Sequence, residues 1–227
     1  MNERWESTEN LTDRTESDRS VSYRRSMPTD ATLPVRARAG DELRQAALEQ
    51  FATVGFAATS LQQIADHAGY SKSSVLYHYA SKEALLEAAV TPAIDQLEVL
   101  VAEFAEGRRS DAARGAFIAR FVDLLLGERL AVHLFVSQGH SLRGIPAIER
   151  GNAAIRVLAD AICTGASLAE QMRFGVALAG ATYALVAGAT FFDDDEMSQL
   201  VTSYSDDDVR AALIDVLTEL LIPAAGR

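Results

Sequence analysis

From Asp41 onward, apolar residues recur with the period of α-helices, and no alternating run of the kind that makes a strand interrupts them. Leu43, Ala47, Phe51 and Val54 fall at i, i+4, i+8 and i+11, which predicts a first helix with one apolar stripe, ended by Gly55. Leu61, Ile64, Ala65 and Ala68 mark a second, shorter helix. Ser60 and Gln63 sign its start, because an S-x-x-Q pair lets each side chain satisfy the other residue's backbone N–H. Gly69 signs its end, since glycine enters the left-handed turn without steric penalty. Ser71 is placed to cap a third helix, and Ser81 a fourth with Glu83 in its first turn, where the helix dipole favours negative charge. The fourth helix runs through Leu85, Leu86 and Ala89, is expected to bend or break at Pro92, and resumes with Ile94, Leu97, Val101 and Phe104 up to Gly107. Further helices are predicted at about 110–126, 129–138, 145–163, 167–190 and 206–221. The fold class is therefore all-α, three short helices leading into a larger helical body.

Residues 1–40 mix charge with Ser, Thr and Pro and have no apolar period, so they read as a disordered tail ahead of units at 41–86 and 87–227. Met27 opens "MPTDATLP" and offers an alternative translation start. Arg36 and Arg38 suit either a solvated tail or an arm that enters a DNA minor groove. The single cysteine, Cys163, precludes an internal disulfide and fits a reducing, cytoplasmic setting. No secretory signal is legible, and no partnership with a membrane is expected. The uncharged stretch 174–192, "FGVALAGATYALVAGATFF", reaches the length of a membrane span, but Gly175, Gly180, Gly188 and many alanines make it a closely packed soluble helix instead.

The formal charge of -11 argues against indiscriminate binding to nucleic acid. No segment is basic overall: residues 1–40 carry seven charges of each sign, 41–90 three basic against six acidic, and 91–227 eleven against nineteen. Contact with DNA therefore requires a few positioned groups and helix ends. The third helix supplies such a set. On a helical wheel Val75, Leu76 and Tyr79 share one sector, while Ser73, Ser74, Tyr77 and His78 take the other, with Lys72 at the start. A helix, a glycine turn and a second helix with a polar outer face make a helix-turn-helix, whose second helix reads base edges in the major groove.

The run "GFAATSLQQIADHAGYSKSSVLYHYASKEALL" resembles the N-terminal DNA-binding region of the tetracycline-repressor (TetR) family of bacterial transcription regulators. The likeness covers residues 41 to 86, in caps, turn glycine and core positions; the rest matches only in length and helical character. Two departures stand out. Val75-Leu76 occupies the place of the family's usual Leu-Tyr, so that Tyr77 or His78 would replace the aromatic contact, and Ser73 stands where glycine is frequent. The resemblance implies that Ser60 and Gln62 touch phosphates, that Lys72, Ser73, Ser74, Tyr77 and His78 face the groove, and that Lys82 clamps a phosphate. It further implies a regulator, in the first instance a repressor, that binds a palindromic double-stranded DNA operator as a homodimer and is released by a small-molecule effector.

In the larger unit Gly180, Ala184 and Gly188 form a smooth ridge on the helix near 167–190, and Val209, Leu213, Val216, Leu217 and Leu220 lie on one side of the helix near 206–221. These two helices are the expected homodimer contact. An effector would sit between helices, with Phe117, Phe121, His133, Phe135, Ser137, Gln138, His140, Met172 and Tyr183 as candidate lining. The acidic runs Asp193–Glu196 and Asp206–Asp208 read as a solvated loop and a capped helix start rather than a metal site. No cofactor is expected, and no catalytic residue. "GHSLRG" at 139–144 has a nucleophile motif's residues without its spacing or preceding strand. The alternative reading is a helical protein-interaction module without sequence-specific DNA binding.

Overall fold

The computed structural model describes residues 35–107, 110–187 and 204–222. Helices and turns account for them, with no strand among the described residues. The helices are α1 (Val35–Thr53), α2 (Leu61–Ala68), α3 (Lys72–His78), α4 (Lys82–Glu106), α5 (Asp111–Gly127), α6 (Arg129–Gln138), α7 (Pro146–Cys163), α8 (Leu168–Ala187) and α9 (Asp206–Leu221). Met27, the Asp193–Glu196 run and Gly188 lie outside the described residues.

The caps form as their residues dictate. Ser60 and Gln63 make the reciprocal capping box of α2, and Gly69 closes that helix at φ 73°. Ser71 and Ser81 accept from the backbone N–H groups of Ser74 and Ala84. Ser205 and Asp208 form a second capping box at α9, so at least one aspartate of that acidic run is occupied with starting a helix. Asp206 instead pairs with Arg129 at 2.6 Å.

Three sequence expectations are corrected here. α1 begins at Val35 rather than Asp41, which makes Arg38 an exposed helical residue rather than part of the tail. Val54 lies beyond the end of α1 and is 46% exposed, outside the buried stripe of Leu43, Ala47 and Phe51. α4 runs unbroken through Pro92, so of the bend or break expected there the break does not occur. A proline removes one backbone donor from a helix, but Ala89, Val90, Ala93 and Ile94 on either side of it are all buried, and this packing holds the helix through the defect.

Two apolar clusters divide the core. The first contains Leu43, Phe51, Ile64, Val75, Leu85 and Leu86, and extends through Ile94 of α4 to Leu134 of α6 and Ile148 of α7. The second gathers Leu100 and Val101 of α4 with Phe117, Ile118, Phe121 and Leu125 of α5, Phe174 of α8 and Leu217 of α9. The change of cluster thus falls within α4, between Ile94 and Leu100. The N-terminal helices share their core with α6 and α7.

Polar links fix the order of the helices. Arg150 of α7 reaches Asp95 and Glu98 of α4, and these two carboxylates push its guanidinium pKa upward. Arg210 of α9 meets both carboxylate oxygens of Asp123 of α5, at 2.6 and 3.1 Å, which holds that carboxyl below its ordinary range. These exposed pairs add little stability. They select which faces meet.

Candidate nucleic-acid interface and effector cavity

α2 and α3 are held against α1 by three long-range hydrogen bonds as well as by Ile64 and Val75. The Tyr79 hydroxyl donates to the Gly40 carbonyl at 2.9 Å, the Tyr70 hydroxyl donates to Glu42, and His67 Nε2 lies 2.7 Å from Glu49 Oε2. Burial raises the Tyr79 phenol pKa, so it remains a donor, while the bond from His67 draws the Glu49 carboxyl pKa down. The turn between α1 and α2 is closed by Thr59, the one buried polar residue among those described, whose hydroxyl donates to Gly55 O at 2.8 Å.

On α3, Lys72, Ser73, Leu76 and Tyr77 are exposed, while Ser74 and His78 are half-buried. Leu76 was expected inside, yet is 45% exposed. A helix of seven residues buries only a narrow sector, here Val75 at 0% exposure, and Leu76 lies 100° away from it. The outward set is therefore Lys72, Ser73, Leu76 and Tyr77, with Tyr77 at 66% exposure edge-on to the His78 ring at 5.4 Å. The Ser73 and Ser74 hydroxyls lie 2.8 and 2.9 Å from the capping hydroxyl of Ser71. At the start of α2, Ser60 is exposed, and the exposed Gln62 donates to Asp66 at 2.7 Å.

Lys82 does not point outward. Its ammonium donates to the carbonyls of Phe56 at 2.7 Å and Thr59 at 2.8 Å, and sits 4.3 Å from the centre of the Phe56 ring. Sequence gave no sign of this because the acceptors are main-chain atoms 26 and 23 residues away. Lys82→Met keeps the stem and deletes the ammonium. It is expected to lower stability by about 1.5–3 kcal/mol, the worth of charge-assisted bonds, and to leave the salt dependence of DNA retention unchanged. A loss of about one unit of salt slope with unaltered stability assigns Lys82 a phosphate contact instead.

The helical body holds a cavity of about 970 Å³ among α4, α5, α6, α7 and α8. Of the expected lining, Phe121, Phe135, Met172 and Tyr183 are in its wall. The others are placed elsewhere. Phe117 is buried and stacked on Phe121, with ring centres 5.8 Å apart, in the second core cluster. Ser137 donates back to the His133 carbonyl at 2.6 Å, and neither residue lines the cavity. His140 lines a separate polar pocket. Gln138 reaches away from the cavity altogether, its amide donating to Phe51 O and accepting from Phe56 N, both at 2.9 Å. Only one side of α6, that of Val132, Phe135 and Val136, faces the cavity, which leaves His133, Ser137 and Gln138 outside it. In "GHSLRG" the Ser141 hydroxyl donates to Gln138 O at 2.8 Å, a turn-closing bond.

The model for bacterial regulatory proteins of the tetR family matches residues 43–89, which spans α2, α3 and their supports. Residues 43–89 are thus similar to that family. The chain is 48% identical over 50 residues to the HTH-type transcriptional regulator RutR of Escherichia coli K12. That match covers 22% of this chain and 24% of RutR, so it spans about a quarter of the relative's length. Over most of the chain the likeness is one of fold. A TetR-family regulator structure from Streptomyces coelicolor superposes with a TM-score of 0.61 at 22% identity, covering 82% of this chain and 91% of that one. One from Bordetella parapertussis gives 0.60 at 18% identity, covering 82% and 95%. Among the described residues no helix is long and apolar enough to cross a membrane.

Proposed function

We propose that the protein is a ligand-responsive, DNA-binding transcription regulator that reads a palindromic operator as a homodimer. The observation that carries this reading is the exposed face of α3, where Lys72, Ser73 and Tyr77 project from a helix fixed by its buried Val75. Lys72, Ser60 and Gln62 supply phosphate contacts; Ser73, Leu76 and Tyr77 meet the bases, with Ser74 and His78 at their edge. Leu76 offers an apolar contact of the kind made to a thymine methyl. The surrounding acidic surface keeps non-specific retention low.

The homodimer is proposed through α8 and α9. Leu168 of α8 at 70% exposure, with Val216 at 53% and Leu220 at 39% on α9, leave apolar surface on both helices, while Leu217 and Leu221 point inward. A second copy that covers this surface sets the spacing of the two α3 helices, and operator half-sites one helical turn apart demand that spacing.

The effector is proposed to occupy the large cavity. α6 links it to the DNA-reading unit: Val132, Phe135 and Val136 face the cavity, and Gln138 at its end holds the α1–α2 turn. A ligand that prefers a shifted α6 changes the spacing of the reading helices and releases the operator. We read the protein as a repressor on this basis.

Selection of bound duplexes from a random pool by the purified protein tests the proposal. A recovered palindrome is the expected result. A helical interaction module that binds protein instead recovers no motif at moderate salt.

A further inference from the structure

A polar pocket of about 450 Å³ opens at the turn between α6 and α7, and Phe135 belongs to its wall and to that of the large apolar cavity. The two hollows are neighbours along the same pair of helices. On α7, Asn152 and Arg156 line the polar pocket, whereas Ile155 and Ala159 line the cavity. On α6, Val132 and Val136 face the cavity, and Gly139 beyond the helix end faces the pocket. Phe135 is the divider. It can lie against α7 because residue 151 is glycine, where a Cβ would stand 2.7 Å from the Phe135 ring and 2.8 Å from Ile94 Cδ1.

The polar pocket is cationic in a chain of net charge -11. Arg44, Arg114, Arg120, Arg129, Arg150 and Arg210 each meet a carboxylate. Arg143 and Arg156, like Arg38 and Arg173, meet none among the described residues, and of these four it is Arg143 and Arg156 that line this pocket, with His140 and Asn152. The one carboxylate there, Glu149, accepts from the Gly144 N–H at 3.2 Å. Two guanidiniums against one carboxylate leave an excess of positive charge beside a cavity with almost wholly apolar walls.

We propose that cavity and pocket form one bipartite site for an anionic amphiphile, its apolar body in the cavity and a carboxylate or phosphate head held by Arg143 and Arg156. The inference deepens the reading of the cavity as an effector site and rests on it. The guanidinium fork suits either head, because both present paired oxygens to its parallel N–H donors. The apolar body supplies affinity through burial. The arginines discriminate by charge.

Calorimetric titration of the full chain with decanoate, decyl phosphate and decanol, each below its aggregation limit, tests the idea. At least one of the two anions is expected to bind about tenfold or more tightly than decanol, the margin that a charge-assisted contact supplies. The tighter of the two names the head group. In the double variant Arg143→Gln, Arg156→Gln the preference disappears while decanol affinity stays the same. Equal affinities for all three probes, no binding of any, or a preference that survives the double variant overturns the proposal. Should the double variant not fold, the wild-type ratio of anion to alcohol decides alone. Duplex retention, measured separately on the same preparation, reports on the regulator reading: DNA binding without anion preference sinks only the amphiphile, and anion preference without DNA binding sinks only the regulator.

Discussion

Tyr77→Ala is expected to abolish operator selectivity while leaving weak retention on random duplex intact. Tyr77 is 66% exposed on the outer face of α3, so its removal opens no hole in the core. A lost base contact costs about 1–3 kcal/mol. In the proposed twofold dimer it is lost twice, about 2–6 kcal/mol in all, which lowers affinity by tens of times to about ten-thousand-fold. Random duplex is held through phosphates, and no cation is deleted, so its salt slope stays the same. Tyr77→Phe separates the ring from the hydroxyl: retained selectivity assigns the contact to stacking or apolar packing, and lost selectivity assigns it to the hydroxyl. Filter retention on the selected operator and on scrambled duplex checks both variants. Equal losses on the two duplexes would remove Tyr77 from the reading face.

Phe51→Ala is expected to have the largest effect on stability. Its side chain is fully buried at the centre of the first apolar cluster, 5.2 Å from the Phe56 ring, and truncation leaves a cavity that rigid neighbours cannot close. Such a change costs about 3–5 kcal/mol, out of a total that is usually about 5–15 kcal/mol. Because this cluster reaches from α1 to α6 and α7, the loss is expected to shift the whole first transition in urea rather than fray one helix. DNA retention falls with it, since α2 and α3 rest on the same cluster. Val54→Ala, three residues on and 46% exposed, is the control and is expected to change stability by less than about 0.5 kcal/mol. A midpoint for Phe51→Ala within that control's range would mean that the cluster does not hold the unit together.

The same contrast shows how far sequence reading reaches. Ser60 with Gln63, Gly69, Ser71, Ser81 and Ser205 were all legible as helix ends, because a cap acts on backbone groups within three or four residues of itself. Periodicity separated Phe51 and Val75 from solvent for a similar reason. It failed at Leu76, where the helix is too short for its neighbours to define the buried sector, and at the start of α1, where Val35–Gly40 lack an apolar stripe but continue a helix already nucleated.

The order of residues by itself determined the all-α class, the positions of the caps and the helix-turn-helix, since these follow from interactions between near neighbours along the chain. Only the tertiary structure decided that Lys82 and Gln138 bind main-chain atoms of the α1–α2 turn, that Phe135 stands between two hollows, and that Arg143 and Arg156 share one pocket. Those facts depend on which helix faces pack together. That choice is made by the shape and burial of side chains far apart in sequence, which no local period encodes.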